Sequence, residues 1–196
     1  MPRAAWSGTI SLGLINLPAQ LVPIAQAASA EELLKDLNDQ YQAEREHSKT
    51  TDPPGLRRVR SARYFLSESH NQPLSRPEPH VVSVIKSIAR DDVSAAAFTA
   101  RYVIVPSKGS LHAFVLFMDA LAKHHRTEIG VIEIHRQPRL CAITSADNAL
   151  FLSTFLSPTE VKQDKVNAKR HFNPALRKLM EDFERIVKDG DLKQAG

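Results

Sequence analysis

Cysteine is almost absent from this sequence, since Cys141 is the only one among 196 residues. A single thiol excludes an internal disulfide framework, and it also excludes a zinc ribbon, whose metal needs several cysteine ligands. This composition is typical of a reducing, cytoplasmic compartment. We therefore expect a protein without a bound metal, in which Cys141 is a small buried strand residue.

Long apolar runs are also missing. No stretch approaches the roughly 18 consecutive apolar residues of a membrane-spanning helix, and the N-terminus carries Arg3 but no hydrophobic signal core. We therefore expect cytoplasmic localisation and no membrane partner. Acidic residues are outnumbered, because the formal net charge is +4 and the pI is near 9.3. This balance is compatible with a nucleic-acid partner but does not require one.

Recognisable catalytic motifs are a third feature that the sequence lacks. The sequence has only seven glycines and contains no Gly-x-x-x-x-Gly-Lys phosphate loop, no nucleophile elbow and no His/Glu helix pair. His124 and His125 are adjacent, so their side chains point apart and do not form a metal site. The sequence therefore predicts no enzyme, no catalytic residue and no cofactor. One chemistry stays open, because a desolvated lysine that forms a Schiff base on damaged DNA ends needs no motif.

The clearest pattern that is present lies at the start of the chain, between residues 5 and 18. Apolar residues alternate there with small or polar ones, as in a strand with one buried face. The phase of the alternation shifts after Gly13, which predicts a bulge or a barrel corner. We expect a bend from Asn16 to Pro18 and a second short strand over residues 19–24.

This opening resembles that of the bacterial Ku family, with Leu12 where the family usually has an aromatic residue. The residues that carry the resemblance are Trp6, Gly8, Ile10, Ser11, Gly13, Leu14, Asn16 and Pro18. The later strands resemble the family through Leu140, Ala142, Ile143, Leu150, Leu152 and Phe155, followed by Pro158, Glu160 and Val161. The resemblance covers residues 4–24 and 81–161.

The predicted fold class is mainly β with α: a Ku-like or SPOC-like β-barrel core with flanking helices and an inserted basic arm. A capping box, Ser29-x-x-Glu32, predicts a first helix, and Ser110 predicts the cap of a second one that ends near His124. Strands are expected over residues 81–88, 101–106, 128–136, 139–144 and 149–155, the last three as a meander. We place the core, with an arm at about 50–80, in residues 1–161, and a linker and helix in residues 162–196.

The arm follows a strong turn signal at Asp52-Pro53-Pro54-Gly55 and is rich in arginine. In an extended strand its arginines, Arg57, Arg58, Arg60 and Arg63, would lie on both faces and could neutralise phosphates on either side. The alternative is a solvated edge strand whose charge blocks aggregation. Further candidate DNA-binding residues are Arg101, Lys108, Arg136, Arg139 and Lys162. At Asp147-Asn148 the family usually has basic residues, so no DNA contact is expected at that tip.

The last helix is predicted from Asn173 as the cap and Pro174 at the first position, followed by a continuous apolar stripe. Such a helix either closes its own core or packs on a partner subunit. We expect a lone barrel to expose both this stripe and the strand over residues 149–155. The residues assigned to dimer formation or packing are Leu150, Leu152, Phe155, Leu179 and Phe183.

The resemblance implies a function that composition does not show. It implies a ring-shaped homodimer that binds double-stranded DNA ends without sequence preference in non-homologous end joining, in association with the nucleoid. It also implies recruitment or stimulation of an ATP-dependent DNA ligase of the ligase D type. The family often extends into a lysine-rich tail, which residues 188–196 do not reproduce. The alternative is a SPOC-like barrel that binds a protein partner and no DNA.

Overall fold

Seven strands close into a barrel in the computed structural model, which describes residues 3–13, 15–24, 27–51, 73–93, 98–107, 109–156 and 174–194. The strands are β1 (Trp6–Leu12), β2 (Ile15–Pro23), β3 (Val81–Ala89), β4 (Phe98–Pro106), β5 (Arg126–Ile134), β6 (Gln137–Ala146) and β7 (Ala149–Phe155). Their order around the barrel is β1-β2-β4-β7-β6-β5-β3. The helices are α1 (Ala27–Thr51), α2 (Leu111–His124) and α3 (Pro174–Gln194). The predicted barrel core with flanking helices is thereby confirmed, whereas most of the predicted basic arm lies outside the described residues.

A parallel pairing of β1 with β3 closes the barrel, whereas the other neighbouring strands are antiparallel. The two strands approach each other closely where they pair. A Cβ atom added to Gly8 would lie 2.1 Å from the carbonyl oxygen of His80. Glycine is therefore required at position 8, because any side chain there would push β3 away from β1.

The predicted bend from Asn16 to Pro18 is wrong. The chain turns at Gly13, with φ of 76°, and β2 already begins at Ile15. Pro18 lies within β2 opposite Thr9, whose amide donates to the carbonyl oxygen of His80 at 2.9 Å. The Thr9–Pro18 pair therefore exchanges no ladder hydrogen bond, and the missing N–H of proline is tolerated at this position.

The predicted meander of β5, β6 and β7 is confirmed, but its first turn lies earlier than expected. His135 and Arg136 form that turn with φ of 53° and 63°, and Asp147 and Asn148 form the next with φ of 49° and 54°. Positive φ at both central residues is the geometry of two-residue hairpins that match the twist of the strands. The Gln137-Pro138 pair, which was expected to separate the strands, begins β6 instead.

The helices begin close to the predicted positions, with different capping. Helix α1 begins at Ala27, before the predicted cap at Ser29. Helix α2 follows Ser110 as predicted, but the Ser110 hydroxyl donates to the carbonyl oxygens of Pro18, at 3.1 Å, and Ser107, at 2.7 Å. This serine therefore ties the start of α2 to β2 rather than capping helical amides. Helix α3 begins at Pro174 as predicted.

Two apolar clusters cover the strands. The larger one combines residues from all seven strands with α1 and α2, including Tyr41 and Phe114. The smaller one places Leu176, Met180 and Phe183 of α3 against β3, β5, β6 and β7. Along β5 the two faces alternate, since Ile129 and Val131 join the α3 cluster whereas Ile132 and Ile134 join the larger one.

The expected exposure of β7 and of the last helix is wrong. All seven residues of β7 are buried within the single chain, and Leu150 and Leu152 are completely inaccessible. Phe155 and Phe183 are buried in the α3 cluster, and Leu179 packs against it. The reason is that β7 pairs with β4 on one side and β6 on the other, while α3 folds back over the adjoining face.

Candidate nucleic-acid interface

A cleft of about 440 Å³ lined by two arginines lies at one end of the face that α3 partly covers. We call it the Arg90–Arg101 cleft. Four neighbouring strands supply its floor, because Thr127 belongs to β5, Thr144 to β6, Ser153 to β7 and Arg101 to β4. Its remaining lining residues are Arg90, Val93, Phe98, Thr99 and Ala100.

Strand pairing positions Arg101. This residue lies opposite Ser153 in the β4–β7 pair, and the carbon of its guanidinium group is 4.0 Å from the centroid of the Phe151 ring. Phe151 is itself buried. A cation held over the face of a fixed aromatic ring is attracted by the ring quadrupole, which leaves the guanidinium N–H groups free to face a ligand.

Arg90 enters the cleft from a short 3-10 turn, Arg90–Asp92, that follows β3. Its backbone amide donates to the carbonyl oxygen of His125 at 2.9 Å, and its Nη1 donates to the carbonyl oxygen of Ser145 at 3.3 Å. The turn is thereby attached to the end of α2 and to β6. The side chains of Asp91 and Asp92 are on the exposed part of the same turn and are not among the lining residues.

Thr127 supplies a hydroxyl without a partner. The residue is inaccessible to solvent, and no described group lies within hydrogen-bond distance of its Oγ1. Leaving a buried hydroxyl unpaired costs about 1–3 kcal/mol. A threonine at this place is therefore unfavourable for the chain by itself.

A second polar group is buried next to Thr127 but is not among the residues that line the cleft. Glu128 accepts a hydrogen bond from the Ser87 hydroxyl at 2.8 Å, and Arg126 donates to the same serine oxygen at 3.1 Å. Burial raises the pKa of Glu128 to about 7, against the opposing effects of Ser87 and Arg126. Consecutive strand residues point to opposite faces, which keeps this carboxyl group away from the cleft.

The other predicted DNA-binding residues that the structure describes are not brought together. Arg136 lies at the β5–β6 turn and lines a separate cleft with His80, His135 and Glu133. Arg139 donates to the Gln137 side chain at 3.1 Å and lines an apolar cleft beside α3. Thus Arg101, Arg136 and Arg139 belong to three different concavities. The remaining candidates, Arg57, Arg58, Arg60, Arg63, Lys108 and Lys162, lie outside the described residues.

Sequence reasoning missed Arg90 and the row of hydroxyls. Arg90 stands before two aspartates in the sequence and gave no signal of a cationic site. The hydroxyl residues Thr127, Thr144 and Ser153 interrupt apolar strands at positions that face the same side. They could have been predicted as polar residues that stand two positions away from an apolar residue of the same strand, and therefore face the same side.

Within the described ranges, no three His, Cys, Asp or Glu side chains are grouped closely enough to hold a metal ion. None of the described helices combines the length and the apolar character that a membrane crossing requires. Burial also raises the pKa of the Cys141 thiol, which is completely inaccessible.

No family model matches the chain. It is similar to Non-homologous end joining protein Ku of Solibacter usitatus, with 23% identity over 82% of this chain and 64% of that protein. It is 25% identical to Non-homologous end joining protein Ku 1 of Geotalea uraniireducens, over 92% of this chain and 77% of that protein. The protein Ku of Opitutus terrae is 25% identical over 76% of this chain and 57% of its own length.

The chain thus spans between 57% and 77% of the length of these relatives. The resemblance first found in the β1 region is confirmed over most of the sequence. This chain is similar, by sequence and by its barrel fold, to the bacterial Ku proteins of non-homologous end joining.

Proposed function

We propose that this chain binds the ends of double-stranded DNA in non-homologous end joining, as a Ku-like protein. The observation that carries the proposal is the similarity to several Ku proteins over most of the chain. The seven-stranded barrel supports it, because Trp6, Gly8, Ile10 and Ser11 of the Ku-like opening lie in β1, the strand that closes this barrel.

Binding is proposed to be independent of DNA sequence. Arginine and lysine contacts to backbone phosphates supply affinity and position but carry no base information. The predicted arm with Arg57, Arg58, Arg60 and Arg63 would add such contacts to those of Arg101, Arg136 and Arg139. These three side chains lie in separate concavities, which suits contacts spread along a backbone rather than one concentrated site.

The protein is proposed to act by binding and not by catalysis. The described residues that line the Arg90–Arg101 cleft include no Asp, Glu, His, Lys or Cys, so no general base stands beside its hydroxyls. Glu128, whose pKa of about 7 would suit proton transfer, is inaccessible and engaged with Ser87.

Assembly and partners follow the same proposal. A ring around DNA requires two copies, so we expect a homodimer of about 44 kDa, twice the chain mass of 21.8 kDa. Because β7 and the α3 residues Leu176, Met180 and Phe183 are buried within one chain, we expect the interface to use other surfaces. The proposed enzyme partner is an ATP-dependent DNA ligase of the ligase D type. Sedimentation at submicromolar concentration tests the dimer, and a monomeric mass would contradict it.

The central experiment compares a linear duplex with a closed circle of the same sequence. End binding predicts strong binding to the linear form only, with an affinity that falls steeply as salt rises. Equal affinity for both forms would contradict end recognition. Stimulation of ligation by an ATP-dependent ligase on the linear substrate then tests the ligase partner separately.

A second candidate is a SPOC-like barrel that binds a protein. The observation that favours it is an apolar cleft of about 210 Å³ between α3 and the barrel, lined by residues such as Leu140, Phe155 and Val187. This alternative predicts that the protein binds neither DNA form at physiological salt. The linear-against-circular comparison therefore separates the two functions.

A further inference from the structure

We infer that the Arg90–Arg101 cleft is a phosphate-binding site. The site would take one phosphate group, either a diester of a nucleic-acid backbone or the phosphate of a small solute. Its assignment to DNA rests on the proposed function, whereas binding of the phosphate group itself does not.

The first argument is the supply of hydrogen-bond donors. Arg90 approaches from the turn after β3, and Arg101 approaches from β4, so two guanidinium groups line the same concavity. Guanidinium groups match phosphate oxygens in charge and in the geometry of paired N–H donors. The hydroxyls of Thr144 and Ser153 on the same lining add donors of the kind that often contact phosphates, whereas the Thr99 hydroxyl is already bonded to the carbonyl oxygen of Thr154 at 3.3 Å.

The second argument is the unpaired hydroxyl of Thr127. This side chain lines the cleft and is inaccessible, and its Oγ1 has no hydrogen-bond partner among the described residues. Valine would have the same shape without the cost of an unpaired hydroxyl. A phosphate oxygen that enters the cleft and moves the side chains covering Thr127 aside would accept a hydrogen bond from its hydroxyl, and so account for a polar residue at this buried place.

The third argument is the absence of negative charge along the cleft. None of its described lining residues is acidic, although Asp91, Asp92 and Glu128 are close in sequence. The two aspartates are exposed on the turn, and Glu128 is bonded to Ser87 on the other side of β5. An anion in the cleft therefore meets cations and hydroxyls without a carboxylate beside it, which is the arrangement that favours phosphate.

The direct test titrates inorganic phosphate into the full chain and follows binding by calorimetry. We expect the wild-type protein to bind, and Arg90→Gln and Arg101→Gln each to bind about tenfold or more weakly, because each removes charge-assisted hydrogen bonds. The matched control is Arg185→Gln, which removes an exposed arginine of α3 that is paired with Asp182. It should bind phosphate as the wild type does.

Thr127→Val separates a binding role from a structural one. Removing an unpaired buried hydroxyl should not lower the melting temperature, yet it should weaken phosphate binding about threefold or more. A wild-type protein that does not bind phosphate up to about 10 mM would overturn the inference. The inference would also be overturned if Arg185→Gln weakened phosphate binding as much as the two cleft variants do. The weaker binding would then result from the lower net charge of the protein and not from the loss of a cleft residue.

The second arm of the experiment identifies the source of the phosphate. If it belongs to DNA, Arg90→Gln with Arg101→Gln should lower the salt slope of linear-duplex binding by about 0.9 per lost phosphate contact. Loss of inorganic phosphate binding with an unchanged slope supports the site and overturns its assignment to DNA. A wild type that binds phosphate but no duplex refutes the proposed function alone. Duplex binding without phosphate binding refutes the inference alone.

Discussion

The two ends of one barrel face differ in chemistry, although the same strands build both. Moving two positions along each of three neighbouring strands replaces an apolar residue of the α3 cluster by a hydroxyl residue of the cleft: Ile129 by Thr127, Ala142 by Thr144 and Phe155 by Ser153. All these side chains face the same side, because residues two apart in a strand do. The side chains of this face therefore change from apolar to hydroxyl-bearing along the length of the strands.

The cover provided by α3 explains the difference. Where Leu176, Met180 and Phe183 lie over the strands, apolar side chains are removed from water and stabilise the fold. At the other end Arg90 and Arg101 line the cleft, and no described residue of α3 does, although Thr127 and Ser153 of the floor are buried there too. One end therefore holds the chain together, and the other is available for an anion.

The largest expected effect comes from breaking the covered end. Phe183→Ala removes a buried ring from the α3 cluster and should lower the free energy of unfolding by about 3–5 kcal/mol. Urea denaturation measures this loss. The control, Lys178→Ala, changes an exposed residue of the same helix and should stay within about 0.5 kcal/mol of the wild type. If Phe183→Ala were as stable as the control, α3 would not hold this end.

The next effect concerns Glu128, which neighbours Thr127 but faces the other side. Its pKa rises from 4.5 to about 7 on folding, so the unfolded chain releases this proton at lower pH than the folded protein. Between these two values the stability should fall as pH rises, by an amount on the order of 3 kcal/mol in total. Below pH 4.5 and above 7 the contribution is constant.

Glu128→Gln should abolish this slope. The stability difference between variant and wild type, from urea unfolding at several pH values, should move in favour of the variant from about pH 5 to about pH 8. Other titrating groups cancel in the difference. If the curves of unfolding free energy against pH were parallel for the wild type and Glu128→Gln, the pKa of Glu128 would not be raised in the folded protein.

A third prediction compares the cleft with the predicted arm. Changing Arg57, Arg58, Arg60 and Arg63 together to Ala should lower the salt slope of duplex binding by up to about 0.9 per lost phosphate contact, without altering sequence preference. Titration of duplex binding at a series of salt concentrations measures it. An unchanged slope would favour the solvated edge strand instead. Inorganic phosphate binding, which we assign to Arg90 and Arg101 of the cleft, should not change in this variant.

The smallest expected effect lies at the end of α3. Residues from Asp182 to the last one have four acidic and three basic side chains, so they cannot add strong phosphate contacts. Deleting residues 189–196 should leave the salt slope of end binding almost unchanged, because the cluster residues of α3 end at Val187. Loss of DNA binding or of ligase stimulation on deletion would assign these residues a function that their composition does not indicate.

Local patterns were sufficient to predict most elements. The runs over residues 81–88 and 149–155, the serine before α2 and the proline at the start of α3 all predicted structure near the observed positions. The turn residues were harder, because His135 and Arg136 adopt positive φ without the usual Asn-Gly signal. The Ser110 hydroxyl bonds to Pro18, a residue far away in sequence, so its role could not be predicted locally.

The sequence by itself determined the Ku resemblance, the mainly β composition and the alternation of β1, because these depend on residue types at short spacing. Only the tertiary structure decided that Arg90 and Arg101 line one cleft while Arg136 and Arg139 lie elsewhere. It also decided that β7 is buried within its own chain rather than left for a partner. The physical reason is that period-two alternation fixes which side a residue faces, whereas strand order and register fix what lies on that side.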